Sequence, residues 1–288
     1  MRHVLPTVAC AVVAGSLLVA REAPPPLPNV TGSLKMVVIG DNGTGSREQS
    51  EVAEQMASFR QQFRYDLVLM VGDNFYGVQR PSDLAQKFAR PYKPLLDAGV
   101  IFQAALGNHD DESSTINYPP LNMHGRRYYT FSRPGIRFLV LDTNVLDEPQ
   151  LQWADAVLQQ ATEPWRIAVF HHPLYGNARR HGANVDLRLL LEPLLLKHRV
   201  QVVFSGHDHV YERLKPQKGI HYFVTGSGGQ LRKGGLEASD TTAAGFDQDQ
   251  TFLAAEIAAD DLHFQVISRT GRTVDGGVIP RVSERIGS

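Results

Sequence analysis

The chain has 288 residues, of which 42% are hydrophobic and 20% are charged, and its formal net charge is -1. That length fits one large α/β domain or two small domains, and we favour a single domain. Because acidic and basic side chains are in balance, the composition provides no basic surface to neutralise a nucleic-acid backbone. It therefore argues against nucleic-acid binding and favours a small partner.

Residues 1–20 have the pattern of a secretory signal peptide. A cationic start is followed by the apolar residues 8–20, a stretch that is short for a membrane span. We predict cleavage near Ala20 and a secreted or periplasmic protein that keeps no membrane attachment. A retained N-terminal anchor is the alternative, because no small residue lies three positions before the cut.

The same segment contains Cys10, the only cysteine, so the mature chain would form no disulfide. Lipidation of Cys10 is a less favoured alternative, because the apolar stretch before it is brief. Residues 21–33 include three consecutive prolines and are predicted to form a stiff, extended linker. One main domain would then occupy residues 34–288.

Short apolar runs alternate with amphipathic stretches through much of the main domain. In the first amphipathic stretch, Val52, Met56, Phe59 and Phe63 recur at helical spacing. The predicted strands are residues 35–40, 66–71, 100–106, 167–170 and 200–204, and the predicted helices are residues 47–63, 81–96, 151–161 and 187–196, the last of them largely buried. A hairpin is predicted for residues 127–132 and 136–142, and antiparallel strands for residues 221–225, 252–257, 262–268 and 274–279. The alternation indicates a layered α/β domain.

Side chains that can bind metals follow five of these apolar runs. They are Asp41, Asp73, Tyr76, Asn108, His171, His207 and His209. A lone aspartate after a strand is more often a turn former, and a lone His-X-His is more often a surface turn. Five such motifs in one chain favour a shared site, since ligands bind at the carboxyl ends of the strands in open α/β sheets.

Seven ligands are enough for two metal ions that share one bridging ligand. Two cations about 3.5–4 Å apart can clamp the attacking and leaving oxygens of an in-line displacement, and they need an anionic group between them. We predict that Asp73 is this bridge. The later cluster Gly226-Ser227-Gly228-Gly229 is interpreted as a turn rather than a phosphate cradle.

In this order, the motifs resemble those of the metallophosphoesterase superfamily, and more narrowly the purple acid phosphatases, including the small tartrate-resistant type. The matching stretches are Gly40-Asp41-Asn42-Gly43, Gly72-Asp73-Asn74-Phe75-Tyr76, Gly107-Asn108-His109-Asp110, Val169-Phe170-His171 and Gly206-His207-Asp208-His209. The resemblance covers nearly all of residues 35–229. It implies a four-layer α/β/β/α sandwich with two mixed sheets, which is the calcineurin-like metallophosphoesterase fold.

The resemblance also implies how the metals are shared. Asp41, Asp73, Tyr76 and His209 would hold iron(III), and Asp73, Asn108, His171 and His207 would hold divalent iron, zinc or manganese. Many members of the superfamily have a histidine where this chain has Gly43, whereas here Tyr76 follows Asp73 by three residues. Because a tyrosinate oxygen suits iron(III), the presence of Tyr76 and the absence of a histidine at position 43 indicate the purple acid phosphatases within the superfamily.

Three further histidines are interpreted through the same resemblance. His109 resembles a histidine that contacts phosphate and assists the leaving group, and His181 in Arg180-His181-Gly182 resembles a second phosphate contact. His172 is expected to point away from the metals. The animal enzymes carry cysteines that this chain lacks, so activation by cleavage of a disulfide-bonded loop is not carried over.

The resemblance implies an acid phosphatase, a hydrolase of phosphate monoesters in which a metal-bound hydroxide attacks phosphorus. Its partner would be a small phosphorylated substrate or a phosphoprotein, and the sequence sets no oligomeric state. A phosphodiesterase with the same metal site is the nearest alternative. A non-catalytic, secreted metal- or phosphate-binding module is the second.

Overall fold

The structure, a computed structural model, describes residues 24–237 and 239–281. The predicted signal segment and Cys10 lie outside the described residues. From residue 24 onward, the proline-rich segment lies against the domain: the amides of Asn29 and Val30 each donate to the Glu256 carboxylate over 2.6 Å. No helix in the described part of the chain has both the length and the apolar composition needed to cross a membrane.

Two sheets, one of six strands and one of seven, contain all the named strands of the described residues. The strands are β1 (Leu34–Ile39), β2 (Leu67–Met70), β3 (Ile101–Ala104), β4 (Tyr129–Arg133), β5 (Ile136–Val140), β6 (Trp165–Val169), β7 (Val202–Ser205), β8 (Tyr211–Leu214), β9 (His221–Thr225), β10 (Thr242–Phe246), β11 (Thr251–Ala258), β12 (Asp261–Ser268) and β13 (Thr273–Pro280). The helices are α1 (Arg47–Phe59), α2 (Pro81–Leu84), α3 (Lys93–Asp97), α4 (Glu112–Ile116), α5 (Glu148–Gln159) and α6 (Val185–Lys197), with a π-helical stretch at Ala85–Ala89 and a 3₁₀ turn at Pro119–Leu121.

Both sheets are mixed, as predicted. The first has the order β13-β12-β11-β1-β2-β3, in which β1, β2 and β3 run parallel and β11 is antiparallel to β1. The second has the order β10-β8-β9-β7-β6-β5-β4, in which β5, β6, β7 and β9 run parallel. The parallel strands in the centre of each sheet bring their carboxyl ends to one edge of the domain.

Alternating side chains of the second sheet build two separate cores. On β5, Phe138 and Val140 belong to the core that contains the first sheet and α1, whereas Leu139 packs with Leu158 of α5 and Leu191 of α6. Successive residues of a strand point to opposite faces, so one face of this sheet meets the first sheet and the other meets helices. The predicted four-layer α/β/β/α sandwich is confirmed.

The prediction that the leucine-rich helix is largely buried is wrong for one of its faces. Leu187, Leu191 and Leu195 recur every four residues and are buried against the second sheet. Leu189 and Leu190 point away from it and are 69% and 54% exposed. Only one stripe of a helix can meet a sheet, so the spacing of the leucines decides burial here rather than their number.

Four other elements differ from the sequence prediction, wholly or in part. The single helix predicted for residues 81–96 is divided into α2, the π-helical stretch and α3, and α3 begins anew at a turn containing Pro94. Strand β9 pairs antiparallel with β8, as expected at residues 221–225, but it also pairs in parallel with β7, which was not expected. Strands β8 and β10 were not predicted, since β8 has only four residues and β10 contains the small residues Ala243, Ala244 and Gly245.

Candidate metal centre

The candidate ligands lie directly after the parallel strands. Asp41 follows β1, Asp73 follows β2, and the loop after β7 carries His207. These three residues have φ values of 54°, 51° and 70°, in the left-handed region that non-glycine residues rarely adopt. Such backbone conformations persist only where the surrounding structure enforces them, and they are concentrated at functional sites.

Two glycines let the ligand loops approach each other closely. A Cβ atom on Gly107 would lie 2.0 Å from the Asp73 amide nitrogen and 2.2 Å from its Oδ1. A Cβ on Gly206 would lie 2.4 Å from Asp41 Oδ2. The strand-glycine-ligand pattern in the sequence therefore has a steric cause, because any side chain at these positions would displace a carboxylate.

The first cluster of ligand atoms joins Asp41, Tyr76 and His209. The Tyr76 hydroxyl donates to Asp41 Oδ1 over 3.1 Å and lies 3.2 Å from His209 Nε2. His209 Nε2 is 3.5 Å from the same Asp41 oxygen. Ligand atoms of Asp41, Asp73 and His209 lie within 4.8 Å of one another, a spacing that can hold a metal ion.

The second cluster joins Asn108, His171 and His207. His171 Nε2 lies 3.0 Å from Asn108 Oδ1, and His207 Nδ1 lies 2.8 Å from the same oxygen. His171 Nδ1 is 2.9 Å from the carbonyl oxygen of Val71, which can only accept, so Nδ1 carries the proton and the lone pair of Nε2 faces the cluster. Lone pairs of nitrogen and oxygen thus converge on one point.

Asp73 lies between the two clusters. It belongs to the group with Asp41 and His209, and its Oδ1 is also 3.4 Å from His171 Nε2. Asp41 and Asp73 are 0% and 1% exposed, and no lysine or arginine of the described residues forms an ion pair with either. Two buried carboxylates and converging lone pairs fit cations that would supply the missing positive charge.

Burial sets the protonation of the ligands. It lowers the pKa of His207 to about 2 and that of His209 to about 4, and it lowers the pKa of His171 as well, so that the imidazoles are neutral at physiological pH. Burial and the nearby Asp73 raise the pKa of Asp41. Burial and these two carboxylates also raise the pKa of the Tyr76 phenol, so only a strong Lewis acid would displace its proton.

The structure places both predicted phosphate-contact histidines at the site. The backbone amide of His109 donates to Asp73 Oδ1 over 2.9 Å, and its ring lies 4.7 Å from the Tyr76 ring. The His181 ring lies 4.2 Å from that of His207. The expectation for His172 is wrong, because its ring lies 4.5 Å from His207 and a Thr143 hydroxyl 2.9 Å from its Nδ1 fixes it there.

Sequence reasoning missed two carboxylates that hold the site loops together. Asp110 accepts from the amides of Gly107 and Phe75 over 2.8 and 2.9 Å, and burial raises its pKa to about 7. Asp208 accepts from the Gly182 amide over 3.0 Å, and burial raises its pKa to about 6. Both lie inside the recognised motifs, but only the tertiary structure shows that they join neighbouring loops.

A cavity of about 490 Å³ opens above the clusters. Its lining comprises Asp73, Tyr76, Asn108, His109, Arg180, His181, His207, His209, Gln230, Leu231 and Arg232. Asp41 and His171 are 0% exposed and lie beneath this surface. The wall formed by residues 230–232 was not predicted, and the glycine cluster that precedes it is the one signal in the sequence that could have drawn attention to it.

A calcineurin-like phosphoesterase family model matches residues 34–211. Among curated proteins, the chain is 28% identical to purple acid phosphatase 7 of Arabidopsis thaliana over 73% of this chain and 74% of that one. It is 27% identical to tartrate-resistant acid phosphatase type 5 of Oryctolagus cuniculus over 69% of this chain and 74% of that one. It spans only about half (52%) of the length of another relative, the probable purple acid phosphatase 20 of Arabidopsis thaliana.

Solved structures share the fold at low sequence identity. The structure of a purple acid phosphatase from yellow lupin seeds superposes with a TM-score of 0.71 at 19% identity, covering 89% of this chain and 55% of the other. A Plasmodium protein described as GAP50, the anchor in the inner membrane complex, gives 0.75 at 19% identity, covering 88% and 90% of the two chains. With its family match over more than half of its length, this chain belongs to the calcineurin-like phosphoesterase family.

Proposed function

We propose that this chain is a binuclear-metal phosphomonoesterase, an acid phosphatase in its reaction class. The observation that carries the proposal is the pair of ligand clusters joined by Asp73, at the base of a cavity lined by histidines. The sequence relatives named above are acid phosphatases, which supports a hydrolase of phosphoric esters.

The first cluster would hold iron(III) through Asp41, Asp73, Tyr76 and His209. The second would hold divalent iron, zinc or manganese through Asp73, Asn108, His171 and His207. The phenol of Tyr76 and the two carboxylates supply hard oxygen donors to the first ion, whereas neutral imidazoles and an amide oxygen supply borderline donors to the second. When bound, the ions would supply Lewis acidity and activate water as the nucleophile.

The remaining cavity residues would orient the ester and donate protons during its hydrolysis. The backbone N–H of His109 donates a hydrogen bond to Asp73 Oδ1 and its ring packs against that of Tyr76, so the imidazole has a defined place on the cavity wall. His181 stands over the His207 ring, on a loop tied to Asp208. From these positions the imidazoles of His109 and His181 would donate hydrogen bonds to phosphate, and His109 would give a proton to the leaving oxygen.

Turnover of matched chromogenic esters tests this proposal. We expect the iron-loaded protein to hydrolyse para-nitrophenyl phosphate with a kcat/KM at least about tenfold above that for bis-para-nitrophenyl phosphate, a ratio that corresponds to about 1.4 kcal/mol of transition-state stabilisation. Preference for the diester would instead establish the phosphodiesterase alternative. Absence of turnover of both esters in protein that holds two metals would indicate a binding module.

We also propose that the protein is exported, on the pattern of residues 1–20. The exported protein is expected to begin near Arg21, which N-terminal sequencing of material recovered outside the cytoplasm would establish. Recovery of that material with Met1 in place would show a retained anchor.

A further inference from the structure

Two arginines on the cavity wall have no role in the metal clusters. Arg180 and Arg232 both line the 490 Å³ cavity, Arg180 at its exposed rim and Arg232 in a half-buried position. Within residues 24–237 and 239–281, neither guanidinium forms an ion pair or a hydrogen bond. Both side chains therefore keep all of their donors available.

The backbone of Arg232 is fixed to the metal-site loops. Its amide donates to the carbonyl of His209 over 2.9 Å, and two residues earlier the Gln230 amide donates to the carbonyl of Asp41 over 2.9 Å. A Cβ on Gly229 would lie 2.4 Å from the Asn42 carbonyl oxygen, so the glycine cluster allows this segment to lie directly on the ligand loops. The guanidinium of Arg232 is thus presented from a rigid support.

The loop that carries Arg180 is tied both to the ligand loop and to the Arg232 segment. The Gly182 amide donates to Asp208 Oδ2 over 3.0 Å, and the Arg179 amide donates to the Gly235 carbonyl over 2.8 Å. A β-bridge joins Ala178 to Leu236. The segments that carry the two arginines are therefore joined to each other by backbone pairing, and both lie beside the metal clusters.

Few acidic side chains lie near these arginines in the cavity. Asp73, a proposed metal ligand, is the only acidic residue that lines their cavity among the described residues. Asp208 lies nearby, but it is buried and its carboxylate accepts from the Gly182 amide. The adjoining cavity of about 480 Å³, which shares Arg180, contains the exposed Asp186 and lacks Arg232.

A guanidinium presents a planar fork that matches the oxygens of a phosphate, and arginine is therefore favoured where a second phosphate must be recognised.

We infer that Arg180 and Arg232 form a second anion subsite for substrates whose leaving group carries its own phosphate, such as a nucleoside diphosphate. This inference rests on the proposed phosphomonoesterase function and names its substrate class. The metal clusters would take the terminal phosphate, and the arginines would bind the phosphate that remains on the leaving group. The alternative is that the two arginines are solvated side chains without a ligand.

The test compares kcat/KM for adenosine diphosphate and phenyl phosphate in the metal-loaded enzyme. Arg180→Gln and Arg232→Gln are each expected to lower the value for adenosine diphosphate by about tenfold or more, since a hydrogen bond to a charged group contributes at least about that factor. Phenyl phosphate has no second anion, so its value is expected to fall only about twofold to threefold through the weakened long-range field.

Matched controls come from the neighbouring positions. Arg179→Gln removes a guanidinium from the same loop, and the one ion pair of that guanidinium within the described residues, with Glu237, is exposed and 3.9 Å long. Lys233→Gln removes an exposed charge next to Arg232. Both controls are expected to change the ratio of the two kcat/KM values by less than about twofold, because neither side chain lines the cavity.

An equilibrium measurement separates this inference from the proposed function. We expect titration calorimetry to show that Arg232→Gln weakens binding of methylenebisphosphonate about tenfold, and that it weakens binding of orthophosphate less. Equal losses for both anions, or equal kinetic losses for both esters, would overturn the second subsite. If wild-type protein hydrolyses no ester, the proposed function fails, and the calorimetric comparison still decides the subsite.

Discussion

Replacing Asp73 by asparagine is expected to remove both metal ions from the purified protein together. Among the described residues, Asp73 is the one carboxylate whose oxygens lie near the ligand atoms of both clusters. The asparagine amide has the shape of the carboxylate but not its charge, so each ion would lose the anionic ligand that it shares with the other. Turnover of para-nitrophenyl phosphate is expected to fall by ~10³-fold, because charge stabilisation by bound metals contributes several kcal/mol.

Elemental analysis and the turnover assay check this result, with Asp97→Asn as the matched control. Asp97 is exposed on α3, and among the described residues its carboxylate forms an ion pair with Lys93 alone, so that variant should keep both metals and its activity. Near-normal turnover of Asp73→Asn, or loss of one ion alone, would show that Asp73 is not the bridge.

Tyr76→Phe is expected to abolish the visible absorption of the iron-loaded protein while leaving it folded. A tyrosinate bound to iron(III) absorbs visible light through charge transfer from ligand to metal, and the phenylalanine lacks the oxygen. The ring and its contact with His109 would remain, so folding should be retained. Iron affinity should fall about 10- to 100-fold or more, since loss even of a group outside the ligand shell often costs that much.

Tyr118→Phe is a suitable control for this experiment. Tyr118 packs edge-on against Phe75, just before Tyr76 in the chain, and it does not line the cavity above the clusters. The control should keep the visible band. If iron-loaded Tyr76→Phe also kept an unchanged band, Tyr76 could not be the chromophoric ligand, and its role would be limited to packing at the end of the strand.

The sequence was sufficient to predict the strand ends and the fold class for a physical reason. Buried parallel strands appear in the sequence as short apolar runs. Close contacts between loops require glycine, so Gly107 before Asn108 and Gly206 before His207 can be recognised from the local sequence. The buried face of α1 could also be predicted from the local sequence, since Val52, Met56 and Phe59 are buried at the predicted spacing.

What the sequence could not predict depends on contacts between distant segments. Asp208 lies inside a recognised motif, yet only the folded chain shows its carboxylate holding the Gly182 amide. Arg232 follows a glycine-rich turn without helical or strand periodicity, so its place on the cavity wall arises from backbone pairing with His209. The turn of His172 toward His207 likewise depends on Thr143, 29 residues earlier in the chain.

The metal content of wild-type protein, the reference for the Asp73 experiment, tests the central claim most directly. After expression with iron present, elemental analysis should find two metal ions per chain, at least one of them iron, because the structure provides two ligand clusters around one shared carboxylate. A stoichiometry near zero in protein that still hydrolyses phosphate esters would contradict the account.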